Sequence, residues 1–400
     1  MRNAMNYDPS TCLDVDRARA QTPGCAHVLH FNNAGASLPC ESVLHAVRAH
    51  LELESRIGGY EAEAQAQIAV EHTYDAFARL LGCAREEIAL VENATRAWDM
   101  AFYSLRFAPG DRILIGHAEY ASNVIAFLQV AQRTGAQVDV VPDDASGQID
   151  LAALERMIDE RVRLIALTHI PTNSGLVNPA AAVGAIARRA AVPFLLDACQ
   201  SVGQLPVDVE TLGCDMLSGT GRKFLRGPRG TGFLYVRRQW IERLEPPFLD
   251  LQAAQWIEPA SFEVRRDARR FETWESYVAG RIGLGVAVDY ALSWGLDNIA
   301  QRVTALGARL RAQLRDLPGI TVHDAGQVHC GIVTFTRAGE PAVAVLQRLR
   351  AAGINVSITN PGHARLNPGP CGSVPLVRAS VHYYNTDEEI DRFCAVLADR

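Results

Sequence analysis

From about residue 45 to 280 the chain alternates between short apolar, β-branched runs and longer stretches of helical character. The runs "RILIGH" (112–117), "QVDVVP" (137–142), "RLIALTH" (163–169) and "VPFLLDA" (192–198) have the length and composition of strands, while "LAALERMIDE" and "PAAAVGAIARRA" read as helices between them. Alternation of this kind predicts an α/β architecture with a mainly parallel sheet covered on both faces. After about residue 281 the pattern changes to a helix, "GRIGLGVAVDYALSWG", the strand-like "GITVHD" and "GIVTFT", and a closing helix, "TDEEIDRFCAVLADR". The expected organisation is therefore a large domain over 46–280, a smaller α/β domain over 281–400 and an N-terminal segment, 1–45, packed with the smaller domain. No internal repeat or low-complexity tract competes with this division.

In such sheets ligands sit at the carboxyl ends of the strands, and polar residues collect there in this chain. His169 to Asn173 follow one strand; Asp197 and Gln200 follow another. A formal net charge of −6 over 400 residues argues against a general nucleic-acid binder, which needs a concentrated excess of Lys and Arg. Any anionic ligand must then be met locally. Nine cysteines without CxxC spacing suggest reduced thiols, and the N-terminus "MRNAMNYDPSTCLDVDRARAQ" lacks the apolar core of a signal peptide, so a cytoplasmic protein with no membrane partner is expected.

Of the 39 Lys and Arg residues, one alone, Lys223, is a lysine. A lysine in a polar loop is ordinarily a solvated surface residue, but a single primary amine among arginines suggests chemistry that guanidinium cannot perform. An amine can lose its proton and form a Schiff base with an aldehyde. The aldehyde cofactor that uses such a lysine is pyridoxal phosphate, whose ring nitrogen calls for a carboxylate partner. Asp197, ending an apolar strand, fits that demand, although a turn-capping Asp would look the same. The phosphate needs N–H donors and hydroxyls at a helix start, which "ENATRAWDMAFYSL" (92–105) offers through Ala94 and Thr95, with Thr220 and Arg222 just ahead of the lysine. The glycine-rich "GPRGTG" (227–232) lacks the Lys-Ser/Thr ending of a nucleotide P-loop and reads as a turn into the next strand.

These residues, in this order, resemble the class V, type I-fold family of pyridoxal-phosphate enzymes, which includes cysteine desulfurases, selenocysteine lyases and C–S lyases. The similarity runs from "HFNNAGASLP" (30–39) to "VRASVHYYNTDEEIDRF" (377–393). It implies a PLP-dependent transferase type I fold, with a seven-stranded-type sheet in the large domain. It also implies that Lys223 carries the cofactor, that Asp197 partners its ring nitrogen and that Gln200 hydrogen-bonds its phenolic oxygen. Tyr120 stands where the desulfurases stack a histidine on the ring. Thr95, Thr220 and Arg222 match phosphate-binding positions, Arg222 replacing a histidine. Ser276, in "RFETWESYVAG" (270–280), matches a segment that completes the phosphate site from a second subunit, so a homodimer is implied. Arg378 matches the arginine that grips the substrate α-carboxylate, with Asn173 or Thr172 beside it; Asn33 and Gly59 to Tyr60 lie in segments bordering the substrate pocket.

Beyond the substitutions at Tyr120 and Arg222, the resemblance breaks at the C-terminal loop. A desulfurase takes sulfur onto a cysteine of a C-terminal loop; here "NVSITNPGHARLNPGPCGSVPLVR" has no cysteine at that position, where His363 falls, and Cys371 is only seven residues before Arg378. A bystander thiol in a Gly/Pro-rich loop is the plainer reading of Cys371, and Cys199 is expected to pack at the cofactor's strand end. The expected function is therefore β-elimination from a cysteine S-conjugate, a C–S lyase acting on a sulfur-containing amino acid. A cysteine desulfurase is the alternative, as is an epimerase, aminotransferase or decarboxylating deaminase on the same scaffold.

Overall fold

The computed structural model describes residues 13–367 and 369–398. The first twelve residues of the N-terminal segment and the side chain of Cys371 lie outside this description. Seven strands form the central sheet: β1 (Ile88–Val91), β2 (Arg112–Ile115), β3 (Gln137–Val140), β4 (Val162–Thr168), β5 (Phe194–Asp197), β6 (Met216–Thr220) and β7 (Gly232–Val236). Their spatial order is β1-β7-β6-β5-β4-β2-β3, and only β7 runs antiparallel to its neighbours. The parallel α/β sheet expected from the alternating pattern is thus present.

The strands read as unbroken apolar runs because both faces are covered. Along β5 all four residues are buried, Phe194 and Leu196 entering one hydrophobic core and Leu195 the other. Period-two alternation does the same in β4, where Ile165 and Leu167 face one side and Leu164 and Ala166 the opposite side. Burying each such leucine or isoleucine contributes roughly 1.5–3 kcal/mol, so the sheet is a rigid platform for what its strand ends carry.

A second, four-stranded antiparallel sheet combines β8 (Ile320–Val322), β9 (Ile332–Arg337), β10 (Ser357–Ile358) and β11 (Val377–Ser380) in the order β8-β9-β11-β10. The N-terminal segment meets it: Leu29–His30 pairs in parallel with Ile354–Asn355, and Ser380 N donates to Phe31 O at 2.7 Å. The helix Val278–Trp294 packs on helices Glu41–Ile57 and Gly59–Leu81 and carries the 280/281 boundary inside it. Close approach is possible there because Gly285 has no side chain; a Cβ would stand 2.5 Å from Thr73 Oγ1.

The chain doubles back between β2 and β4: from β2 it first adds β3 on one side, then β4 on the other. Ligands of open α/β sheets occupy the crevice outside the carboxyl ends at such a reversal. Tyr120 follows β2 and Thr172 follows β4, so both stand over it. Among the described residues no helix is long and apolar enough to cross a membrane, and no cluster of His, Cys, Asp and Glu is placed to hold a metal.

Candidate active site

A cavity of about 440 Å³ opens at the carboxyl ends of β4, β5 and β6. Its wall includes Ala94, Thr95, Tyr120, Thr172, Asp197, Gln200, Thr220, Arg222 and Lys223, nine of the residues singled out from the sequence. Sheet register explains much of this convergence: Thr168 pairs with Asp197 and Asp197 with Ser218, so the ends of three strands meet side by side.

Lys223 sits three residues beyond β6, on a turn that needs Gly221, where a Cβ would meet Thr231 Oγ1 at 2.4 Å. Its side chain is buried, and burial lowers the amine below the ordinary lysine range; Arg222 and Arg378 push the same way while Cys199 and Asp197 oppose. A neutral, nucleophilic amine is therefore accessible at lower pH than for a surface lysine. The Asp197 carboxylate is held at both oxygens: Asn123 Nδ2 donates to Oδ2 at 3.0 Å and Cys199 N to Oδ1 at 2.9 Å. Thr95 lies in the first turn of the helix Ala94–Phe102, whose N-cap Asn93 accepts from Arg96 N at 2.9 Å. The remaining free N–H groups of that turn offer an anion site.

Gln200 donates through Nε2 to Ala34 O at 3.1 Å and Thr172 Oγ1 at 3.0 Å, leaving a buried Oε1 without a partner. Arg378, on β11, donates through Nη1 to Thr172 O at 2.9 Å and Thr172 Oγ1 at 2.6 Å. Thr172 thus joins the second sheet to the first, and Asn173 is not in the cavity wall. Arg378 Nη2 reaches Asn32 Oδ1 at 3.4 Å, and its buried Nε has no partner. Burial, with Arg222 nearby, brings this guanidinium down to about 10.

Besides Asn173 and Arg378, three sequence-derived candidates lie outside the cavity wall. Asn33 is fully buried and committed to the framework: its Nδ2 donates to Ser380 O at 2.7 Å and to His30 O, and its Oδ1 accepts from Tyr384. The neighbouring Asn32 is the residue that reaches Arg378. Tyr60, 72% exposed, and Ser276 line a separate groove of about 970 Å³ with Tyr74, Arg269, Trp274 and Arg281. Within one chain neither borders the Lys223 cavity. His169 is buried with its imidazole pushed down to about 4 by burial, and its backbone N–H donates to Asp197 O at 3.0 Å.

Two residues went unrecognised. Asn123 follows Tyr120 by three positions on the helix Ala121–Thr134, which brings it under the same strand ends. Glu119 is buried, accepting from Thr168 N and Thr168 Oγ1, both at 2.8 Å. Burial pushes its carboxyl up to about 7, Asp197 adding to the rise and the Thr168 hydrogen bonds opposing it. An acid raised by folding takes up protons as the chain folds, so its contribution to stability is greatest below pH ~4.5 and is lost as pH rises through about 7. Glu119→Gln is expected to gain stability relative to wild type between pH 5 and 8, by up to about 3 kcal/mol. Urea unfolding at both pH values measures this; a difference independent of pH would contradict it.

The cavity suits pyridoxal phosphate on its own terms: a buried amine of lowered basicity, a carboxylate locked in place one strand away, hydroxyls at a helix start and an orphaned amide oxygen. Comparison with known proteins agrees. Residues 29–393 match the model of the family described as Aminotransferase class-V. A probable cysteine desulfurase of Xylella fastidiosa (strain Temecula1 / ATCC 700964) is 32% identical, covering 97% of this chain and 96% of its own. The apo structure of the cysteine desulfurase from Thermococcus onnurineus NA1 superposes with a TM-score of 0.89 at 26% identity, covering 97% of this chain and 98% of that one. The cystine C–S lyase C-DES has been solved with its reaction product cysteine persulfide and, as a variant, with glycine covalently linked to its PLP cofactor. It gives a TM-score of 0.86 at 25% identity over 95% of this chain and 99% of that chain. The chain therefore belongs to the class V aminotransferase family and is a pyridoxal-phosphate-dependent enzyme of the type I fold.

Proposed function

We propose that this enzyme breaks the Cβ–S bond of L-cysteine or of a close cysteine derivative, as a cysteine desulfurase does. The observation that carries it is one cavity wall holding Lys223, Asp197, Gln200 and Thr172, with Thr172 bonded to both Gln200 and Arg378, in a chain matched along its length by proteins named cysteine desulfurases. Those names favour the desulfurase over the S-conjugate lyase that the sequence suggests.

When bound, the cofactor supplies an electron sink for charge developing at the substrate Cα. Asp197, fixed by Asn123 and Cys199 N, would hold a proton on the ring nitrogen. Gln200 would face the phenolic oxygen and Tyr120 would cover the ring. Ala94, Thr95, Thr220 and Arg222 would receive the phosphate. Arg378 takes the α-carboxylate in a bidentate fork, leaving or sharing its bonds to Thr172. Lys223, held at lowered basicity, would hold the cofactor at its aldehyde carbon and would serve as the base that takes the substrate Cα proton and returns it. Ser276 and Tyr60 would serve the cavity of a second copy, which makes a homodimer part of this reading; sedimentation of the purified protein as a monomer would remove both from the site.

A specific observation keeps the lyase as a second reading. Cys199 is the described cysteine in the cavity wall, and burial raises its thiol, with Asp197 adding to the rise, the opposite of what a sulfur-accepting nucleophile requires. The deciding experiment supplies L-cysteine and S-substituted cysteines to wild type and Cys371→Ser. A desulfurase using Cys371 forms alanine, delivers sulfide when a thiol reductant is added, and loses at least about 100-fold in rate in the variant. A lyase forms pyruvate, ammonia and the released thiol at an unchanged rate. Retained amino acid of inverted configuration, or an aldehyde with CO₂, would exclude C–S cleavage altogether.

A further inference from the structure

The helix Ala121–Thr134 delivers two residues to the site: Tyr120, its N-cap, to the cavity wall and Asn123, in its first turn, to Asp197. Yet the helix starts without a side-chain cap, since a tyrosine has no short side-chain oxygen to offer. Its entry is held from outside. Tyr120 N donates to Thr168 Oγ1 at 3.3 Å, at the end of β4. Thr168 is fixed in turn by Glu119, whose Oε1 accepts Thr168 N and whose Oε2 accepts Thr168 Oγ1. Its carbonyl takes Asn178 Nδ2 at 2.8 Å, so every polar group of Thr168 is engaged.

The polarity of this junction is specific. Thr168 Oγ1 accepts from Tyr120 N, so its one hydrogen goes to Glu119, and the Thr168 N–H points the same way. Glu119 must therefore accept twice, which a carboxylate does and a carboxamide does not. A carboxamide would turn an NH₂ toward the hydroxyl, in competition with Tyr120 N, and displace the hydroxyl hydrogen. Burying a carboxylate is costly, and this one is not relieved. Among the described residues Glu119 enters no ion pair, and the charge of Asp197, of like sign, bears on it. In return the helix entry is fixed beside Asp197, with which Thr168 is paired in the sheet.

We propose that Glu119 is a positioning residue: by pinning the entry of the helix Ala121–Thr134 to Thr168, it sets where Tyr120 and Asn123 stand, and through them the cover of the cofactor ring and the aim of the Asp197 carboxylate. This rests on the roles given above to Tyr120 and Asp197, and adds the group that places both.

The test compares wild type, Glu119→Gln, Thr168→Val and the double variant as holoenzymes at about pH 8.5, where a carboxyl at about 7 is ionised. The dissociation constant for pyridoxal phosphate is read by equilibrium dialysis, and the setting of its ring by visible circular dichroism at saturating cofactor. Each single variant is expected to hold the cofactor about 10-fold more weakly, the effect of one hydrogen bond to a charged group, and to alter the dichroic band. The double variant should be no more than about twofold worse than the weaker single variant, because both residues act in one junction. Should Glu119→Gln fail to fold, Thr168→Val, which removes the hydroxyl and leaves the carboxylate, carries the same expectation. An unchanged dichroic band in the single variants would overturn the pin even if retention falls, since weakened retention alone is what a merely structural role would give. Additive losses in the double variant would overturn it too. Tyr120→Ala tests the reading beneath: a band altered in Glu119→Gln and untouched in Tyr120→Ala would support the pin and dismiss Tyr120 as the ring cover. Neither readout involves a substrate, so the outcome is independent of which bond the enzyme breaks.

Discussion

Lys223→Ala is expected to lose covalent attachment of pyridoxal phosphate and to slow turnover of its substrate by roughly 10⁴-fold or more, the upper end of what a positioned proton-transfer group contributes. The physical basis is the absence of a substitute. No other residue of the chain carries a primary side-chain amine, and the cavity wall offers no second base of comparable placement. Arg222, the adjacent cation, is a guanidinium with no primary amine to offer and cannot take over. The visible spectrum reports attachment and steady-state kinetics report turnover. Wild-type activity in this variant would end the assignment of Lys223, and with it the reading of the cavity.

Asp197→Asn is the second large effect. The side chain keeps its shape, so the cavity should survive, but the charge that keeps a proton on the ring nitrogen is gone. A fall in kcat of roughly 10²–10³-fold is expected, the range for removing one preorganised electrostatic contact at a reacting centre. The hydrogen bond from Asn123 would also be degraded, since its amide would face another amide at a former carboxylate. Measuring kcat and cofactor affinity separates the two losses. A kcat within about threefold of wild type would mean that Asp197 is a turn cap, and that the ring nitrogen lies elsewhere.

The parts of the site that were legible in the sequence are those set by local rules. A four-residue strand with every residue buried must be apolar until it leaves the core, so Asp197 at the end of "FLLD" announces a strand end facing a ligand. Lys223 was conspicuous by residue type alone. Other positions depend on register between distant segments and were not legible. Asn32 and Asn33 differ by one residue, yet the pairing of the N-terminal segment with β11 sends one to Arg378 and the other into the framework. At the adjoining pair Thr172 and Asn173, it is again register between distant segments that brings Thr172 to Arg378. Glu119 escaped notice because an acid in a polar segment looks solvated; only the three-dimensional path of "HAEYASN" shows that it is buried beneath Thr168. Ser276 and Tyr60 lie outside the Lys223 cavity of their own chain, and no pattern within one chain tells what a second copy would bring to them.

A single buried lysine also gives the protein an unusual address label. An endoprotease specific for lysine has one place to cut, after residue 223, yielding fragments 1–223 and 224–400. Because Lys223 is 9% exposed, that cut waits on unfolding or local opening of the cavity. Reductive fixation of the cofactor onto the amine would erase the cleavage site. Appearance of two fragments would therefore count, molecule by molecule, the active sites that never received their cofactor.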